Sequence, residues 1–89
     1  MADKPWFLWD LDISDEEFQV RLRHPDPDIR AQWQGRLMRE ANVTEVWTYL
    51  ALPEVLANWQ RIARHLGRRR EFWQWLLDGW RSDGLIPAQ

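Results

Sequence analysis

Apolar residues recur along this chain at helical spacing, and polar start and stop signals divide them into about five helices. Ser14 followed by Asp15, Glu16 and Glu17 reads as a capping box, with Ser14 accepting from the Glu17 N–H and the Glu17 side chain reaching back. It opens a first helix over about 15 to 23, which His24-Pro25 stops because the residue before a proline avoids the α region. Asp26-Pro27-Asp28 starts the second, supplying an N-cap acceptor, a proline at the first helical position and an acid facing the dipole. That helix runs to about Ala41. Asn42 or Thr44 caps a short third helix ending near Ala51, and Pro53-Glu54 opens a fourth that Gly67 closes as a left-handed C-cap. The fifth runs from about Arg69 to Arg81, with Gly84 as its stop.

Each long helix predicts its own buried stripe. In the fourth, Leu52, Val55, Leu56, Trp59, Ile62, Ala63 and Leu66 fall on one face; in the fifth, Phe72, Trp73, Leu76, Leu77 and Trp80 do. The second helix has two candidate faces, Ile29, Trp33, Leu37 and Ala41 on one side and Ala31, Gly35 and Met38 on another, so it is expected to be packed on both.

The chain also repeats itself. Shifted by 26 residues, Pro27, Ala31, Trp33, Gln34, Glu45, Trp47 and Leu50 fall on Pro53, Ala57, Trp59, Gln60, Glu71, Trp73 and Leu76. The unit is a two-helix hairpin written twice, and a hairpin cannot bury its apolar face alone. The expected architecture is therefore an all-α, HEAT-like single domain: an aromatic and acidic segment over 1–13, a capping helix over 14–24, hairpins over 27–51 and 53–82, and a tail over 83–89. Residues shared by both units, among them Trp33, Trp59, Trp47 and Trp73, are expected to serve packing. Under a true duplication Trp33 and Trp59 should occupy like surroundings.

Composition narrows the class. With 89 residues the chain makes one small domain, and 45% hydrophobic content with eight Trp argues for a packed core rather than disorder. The absence of Cys removes disulfides and thiolate chemistry. No apolar run approaches the ~18 residues of a membrane span. Asp3 and Lys4 ahead of Trp6 lack the layout of a secretory signal, so a cytoplasmic location is expected.

Three features stand apart from the repeated core. The first is the strip from Trp6 to Asp12, in which Trp6, Phe7, Trp9, Asp10 and Asp12 form either a plug over the core or a docking strip for another protein. Asp10, Asp12 and Ser14 mimic the start of a calcium loop, but Asp15 stands at the glycine position and Arg21 at that of the bidentate glutamate, which excludes it. The second is charge segregation: residues 1–28 carry a net −5, whereas 61–70 hold Arg61, Arg64, Arg68, Arg69 and Arg70 without an acid. Arg69 and Arg70 oppose the dipole of the helix they precede, so a compensating partner is expected. It is the chain's own acidic third, an acidic protein surface, or a nucleic-acid backbone. The third is Tyr49 and Trp75, matched in the repeat and both off their apolar stripes, which either pack inward or form an exposed aromatic surface.

Catalytic groups are sparse. His24 sits before a proline, His65 sits among arginines, and the four glycines form no phosphate-binding loop, so a non-enzymatic protein without metal or cofactor is expected.

Phe7-Leu8-Trp9-Asp10-Leu11-Asp12, Glu17-Phe18, Pro25-Asp26-Pro27 with Arg30, Arg36-Leu37-Met38-Arg39, Val46-Trp47, and His65-Leu66-Gly67-Arg68 with Phe72-Trp73 together carry a family likeness. In these the chain resembles small uncharacterised bacterial helical proteins often encoded beside nucleotidyltransferase-type toxins of the abortive-infection kind. Leu11 departs from that pattern, standing where the group often has an aromatic residue. Asp26, Pro27 and Arg30 are similar to the first-helix signature of HEAT repeats. The resemblance implies an antitoxin or accessory protein whose partner is such a toxin. Nucleic-acid binding through Arg61 to Arg70 and self-association into a scaffold are the other functions these residues allow.

Overall fold

The computed structural model describes residues 12–84, and among them every regular element is helical. Helix α1 spans Asp15–Arg21, α2 Pro27–Glu40, α3 Val43–Tyr49, α4 Leu52–Ala57, α5 Trp59–Ala63 and α6 Arg70–Ser82, with a 3-10 turn at Gly67–Arg69 before α6. The helix starts are set by local capping. The Ser14 hydroxyl accepts from the Glu17 N–H at 3.1 Å, the Asp26 carboxylate from the Asp28 N–H at 2.8 Å, and Asn42 exchanges both capping-box bonds with Glu45. The Glu17 carboxylate does not close a box on Ser14; it pairs with Arg21 at 2.9 Å, one turn on. Gly67 takes φ +55°, the left-handed conformation expected of it, and turns the chain into α6.

One helix of the sequence reading is two in the structure. The stretch opened by Pro53 breaks at Asn58, whose backbone leaves the helix at φ −121° and ψ 16°. The cause is tertiary. Asn58 is buried, and its amide donates to the Pro27 carbonyl at 3.0 Å and to Gln34 Oε1 at 3.2 Å, both on α2. These bonds hold the side chain toward α2 and let α5 lie along it.

Helix α2 is the centre of the fold. It touches α1, α3, α5 and the 3-10 turn; Ala31, Gly35 and Met38 of one expected face are buried, as are Leu37 and Ala41 of the other, whose Ile29 and Trp33 are half-buried. At Gly35, α2 comes close to α5 and the turn that follows it: a Cβ there would lie 2.5 Å from His65 Cβ and 3.4 Å from the Ile62 carbonyl oxygen. Around α2 the core collects Phe18 and Leu22 from α1 and its C-cap, Val46 from α3, Val55 from α4, Ile62 and Leu66, and Trp73 from α6.

Positions paired by the 26-residue shift do not share surroundings. Trp33 meets the edge of Phe18 at 6.2 Å and lies under the Arg21 guanidinium at 4.7 Å, both from α1. Trp59 leans on the core with no such cap among the described residues, Ala31 and Gln34 are buried where Ala57 and Gln60 are exposed, and α2 is continuous where its counterpart is broken. Trp47 and Trp73 instead face each other, ring edge to face at 5.7 Å and 81°.

Candidate functional site

Helix α6 carries aromatic rings on opposite sides. Inward, Trp73 and Leu77 are fully buried, and the Trp73 indole N–H donates to the Met38 carbonyl at 2.8 Å. That carbonyl belongs to the last turn of α2, where no intrahelical donor follows, so the indole caps α2 while it anchors α6. Trp47 packs against both Trp73 and Trp80. Outward, Trp75 is 69% exposed; Phe72, 39% exposed, stands at the border, its ring centroid 6.4 Å from that of Trp75 and 5.9 Å, edge-on, from that of Trp73. The locked inner side therefore fixes where the outer rings stand.

Arginines border this outer face. The Arg69 guanidinium lies 5.2 Å above the Phe72 ring and donates to the Ala41 carbonyl at 2.9 Å, the C-cap of α2. A shallow depression of about 550 Å³ is lined by Arg70, Glu71, Gln74, Trp75 and Asp78. Arg68 and Arg70 are exposed.

The arginine cluster does not act as one patch. Arg61 pairs with Asp28 of the acidic third at 3.0 Å, whereas Arg69 and Arg70, whose placement against the helix dipole called for a compensating partner, make no ion pair among the described residues. Arg69 is spent on Ala41 and Phe72. Arg64, Arg68 and Arg70 are exposed and make no ion pair among the described residues.

Tyr49 and Trp75 part company. The Tyr49 hydroxyl donates to the Asp15 carboxylate and its ring meets Phe18 edge-on at 5.5 Å, so it ties α3 to α1. Burial, then the Asp15 hydrogen bond, then the charges of Asp15 and Glu45 push its hydroxyl well above the ordinary 10.0. Only Trp75 of the pair is a surface group. Trp6, Phe7, Trp9 and Asp10 lie outside the described residues, and Asp12 is exposed at their edge. The helical periodicity of the sequence places Phe72 in the buried stripe, whereas in the structure its ring is partly exposed. The i, i+3, i+7 spacing of Phe72, Trp75 and Gly79, opposite Trp73 and Leu77, was the available signal.

His24 Nδ1 accepts from the Asp26 N–H at 3.0 Å and closes a turn, and the His65 stem packs on Gly35. Among the described residues no three His, Asp or Glu side chains converge to hold a metal, and no helix is long and apolar enough to cross a membrane. Comparison with protein-family models, with curated proteins and with solved structures finds no match to this chain.

Proposed function

We propose that the chain is a non-enzymatic, cytoplasmic interaction module that docks another polypeptide on the outward face of α6. The carrying observation is the Phe72–Trp75 pair, held at the surface by a helix whose other side is locked in the core. At 69% exposure the Trp75 ring leaves in water roughly 100 to 170 Å² of the ~150 to 250 Å² an aromatic can bury, worth about 3 to 4 kcal/mol at ~25 cal/mol/Å². Trp anchors of this size dominate interface energies, and the arginines beside it suit an acidic rim on the partner. The antitoxin or accessory role implied by the resemblance falls within this reading, the partner then being a nucleotidyltransferase-type toxin.

Co-expression with the product of the adjacent gene, followed by size exclusion, tests the role. Co-elution that Trp75→Ala weakens at least ~10-fold, with the melting temperature nearly unchanged, is the expected result. Co-elution of that variant at wild-type strength, or separate elution of the wild type, refutes the corresponding part. Nucleic-acid binding draws less support, because Arg61 and Arg69 are engaged within the fold. Its own test is salt: several phosphate contacts demand strong binding at ~50 mM salt and a steep fall above it.

A further inference from the structure

The outward face of α6 carries a narrow strip of Phe72, Trp75 and Gly79, flanked by Glu71, Gln74 and Asp78 and oppositely charged at its ends. Arg68 stands just before the helix and Asp83 is its C-cap; both are exposed, and neither side chain has a hydrogen-bond or ion-pair partner among the described residues. Phe72, Trp75 and Gly79 lie between them on one face.

Gly79 supplies an independent observation. Glycine inside a helix is less stable than alanine, and it is accounted for where a neighbour leaves no room for a Cβ. Gly35 is accounted for in that way by His65, whereas a Cβ on Gly79 would meet nothing within 4 Å. Among the described residues no contact requires Gly79. A backbone or ring approaching from another molecule would.

Resting on the reading of this face as a docking surface, we infer that its occupant is a second copy of the chain, with the two α6 helices antiparallel about a twofold axis beside Trp75. Two pairs of positions select this arrangement. Phe72 and Gly79, and likewise Arg68 and Asp83, are centred on the same point of the chain, between Trp75 and Leu76. A single axis there lays Phe72 of each copy over Gly79 of the other, brings the Trp75 rings together, and sets Arg68 opposite Asp83 at both ends of the contact. The antiparallel order also answers the placement of the arginines. The N-terminus of α6 has no side-chain cap and carries Arg69 and Arg70 against its own dipole. The second copy brings the negative end of its helix and Asp83 to that point. A parallel pair would set arginine against arginine.

Sedimentation equilibrium of the full chain from about 1 μM to about 1 mM reads the dissociation constant directly. A reversible monomer–dimer equilibrium is expected. Gly79→Gln raises the melting temperature of the monomer, where there is room for the side chain, and weakens the dimer at least ~10-fold. Arg68→Glu and Asp83→Arg each weaken it about 5- to 10-fold, and the double variant returns to within ~3-fold of wild type. A chain monomeric throughout, a Gly79→Gln variant that dimerises as wild type, or a double exchange that fails to restore binding overturns the inference. The two readings separate cleanly. A monomeric chain whose co-elution with the adjacent gene product still depends on Trp75 removes the second copy and keeps the docking face. Trp75→Ala without effect in either experiment removes both.

Discussion

Gly35→Ala is the sharpest test of the packing account. By helix propensity alone the substitution in the middle of α2 stabilises by about 1 kcal/mol. Against that, the new methyl carbon would stand 2.5 Å from His65 Cβ and 3.4 Å from the Ile62 carbonyl oxygen. Neither neighbour can swing aside, since one is the first atom of a side chain and the other is backbone. The turn after α5 must retreat from α2, loosening the core cluster to which Leu37, Ile62 and Leu66 belong. Overpacking of this kind costs ~1 to 3 kcal/mol and occasionally more, and a clash against immobile atoms belongs at the upper end, for a net loss of about 1 to 2 kcal/mol. For a domain of this size that lowers the melting temperature by roughly 4 to 15 °C. Urea and thermal unfolding followed by circular dichroism measure it. Gly79→Ala is the internal control: with nothing within 4 Å it should gain about 0.5 to 1 kcal/mol. Two glycines within helices thus respond with opposite sign. A Gly35→Ala variant as stable as wild type would refute the close α2–α5 crossing.

Other perturbations address single contacts. Trp73→Phe removes the donor to the Met38 carbonyl and leaves a gap beside Trp47, and should cost about 2 to 4 kcal/mol in urea unfolding. Asn58→Ala leaves Gln34 Oε1 without its donor and removes the second donor to the Pro27 carbonyl, which lies in the first turn of α2, and should cost about 1 to 3 kcal/mol, without fusing α4 and α5 into a stable single helix. Arg61→Ala breaks only an exposed pair with Asp28 and should change stability by less than about 1 kcal/mol. Tyr49 is the sole tyrosine, so its phenolate absorbance reports it alone. Its raised folded value makes a stabilising contribution that is complete below pH 10.0 and declines as pH rises through the folded value. Phenolate absorbance should therefore appear at higher pH in the folded than in the urea-unfolded chain, and Tyr49→Phe should remove that part of the alkaline loss of stability.

Much of this molecule is written locally. Ser14, Asp26 and Asn42 each cap a helix by bonding an N–H two or three residues ahead, so sequence alone locates those starts. Gly67 likewise carries its left-handed turn wherever the chain goes. The all-helical class and the two covered faces of α2 follow from apolar spacing along one segment at a time.

What sequence could not decide depends on groups distant along the chain. Asn58 breaks its helix for partners 31 and 24 residues away, and a lone asparagine does not announce them. Phe72 and Trp73 are both large, aromatic and adjacent. Only the Met38 carbonyl, 35 residues from Trp73, and the Trp47 ring choose which of them goes inside. The arginine run divides in the same way, because Asp28 and the Ala41 carbonyl engage Arg61 and Arg69 while Arg64, Arg68 and Arg70 face solvent. Sequence determines what a residue can do within a turn or two of itself, through spacing and capping. Which of several equally apolar or equally basic neighbours is buried, paired or left at the surface depends on which distant segment arrives beside it, and that is a property of the assembled fold.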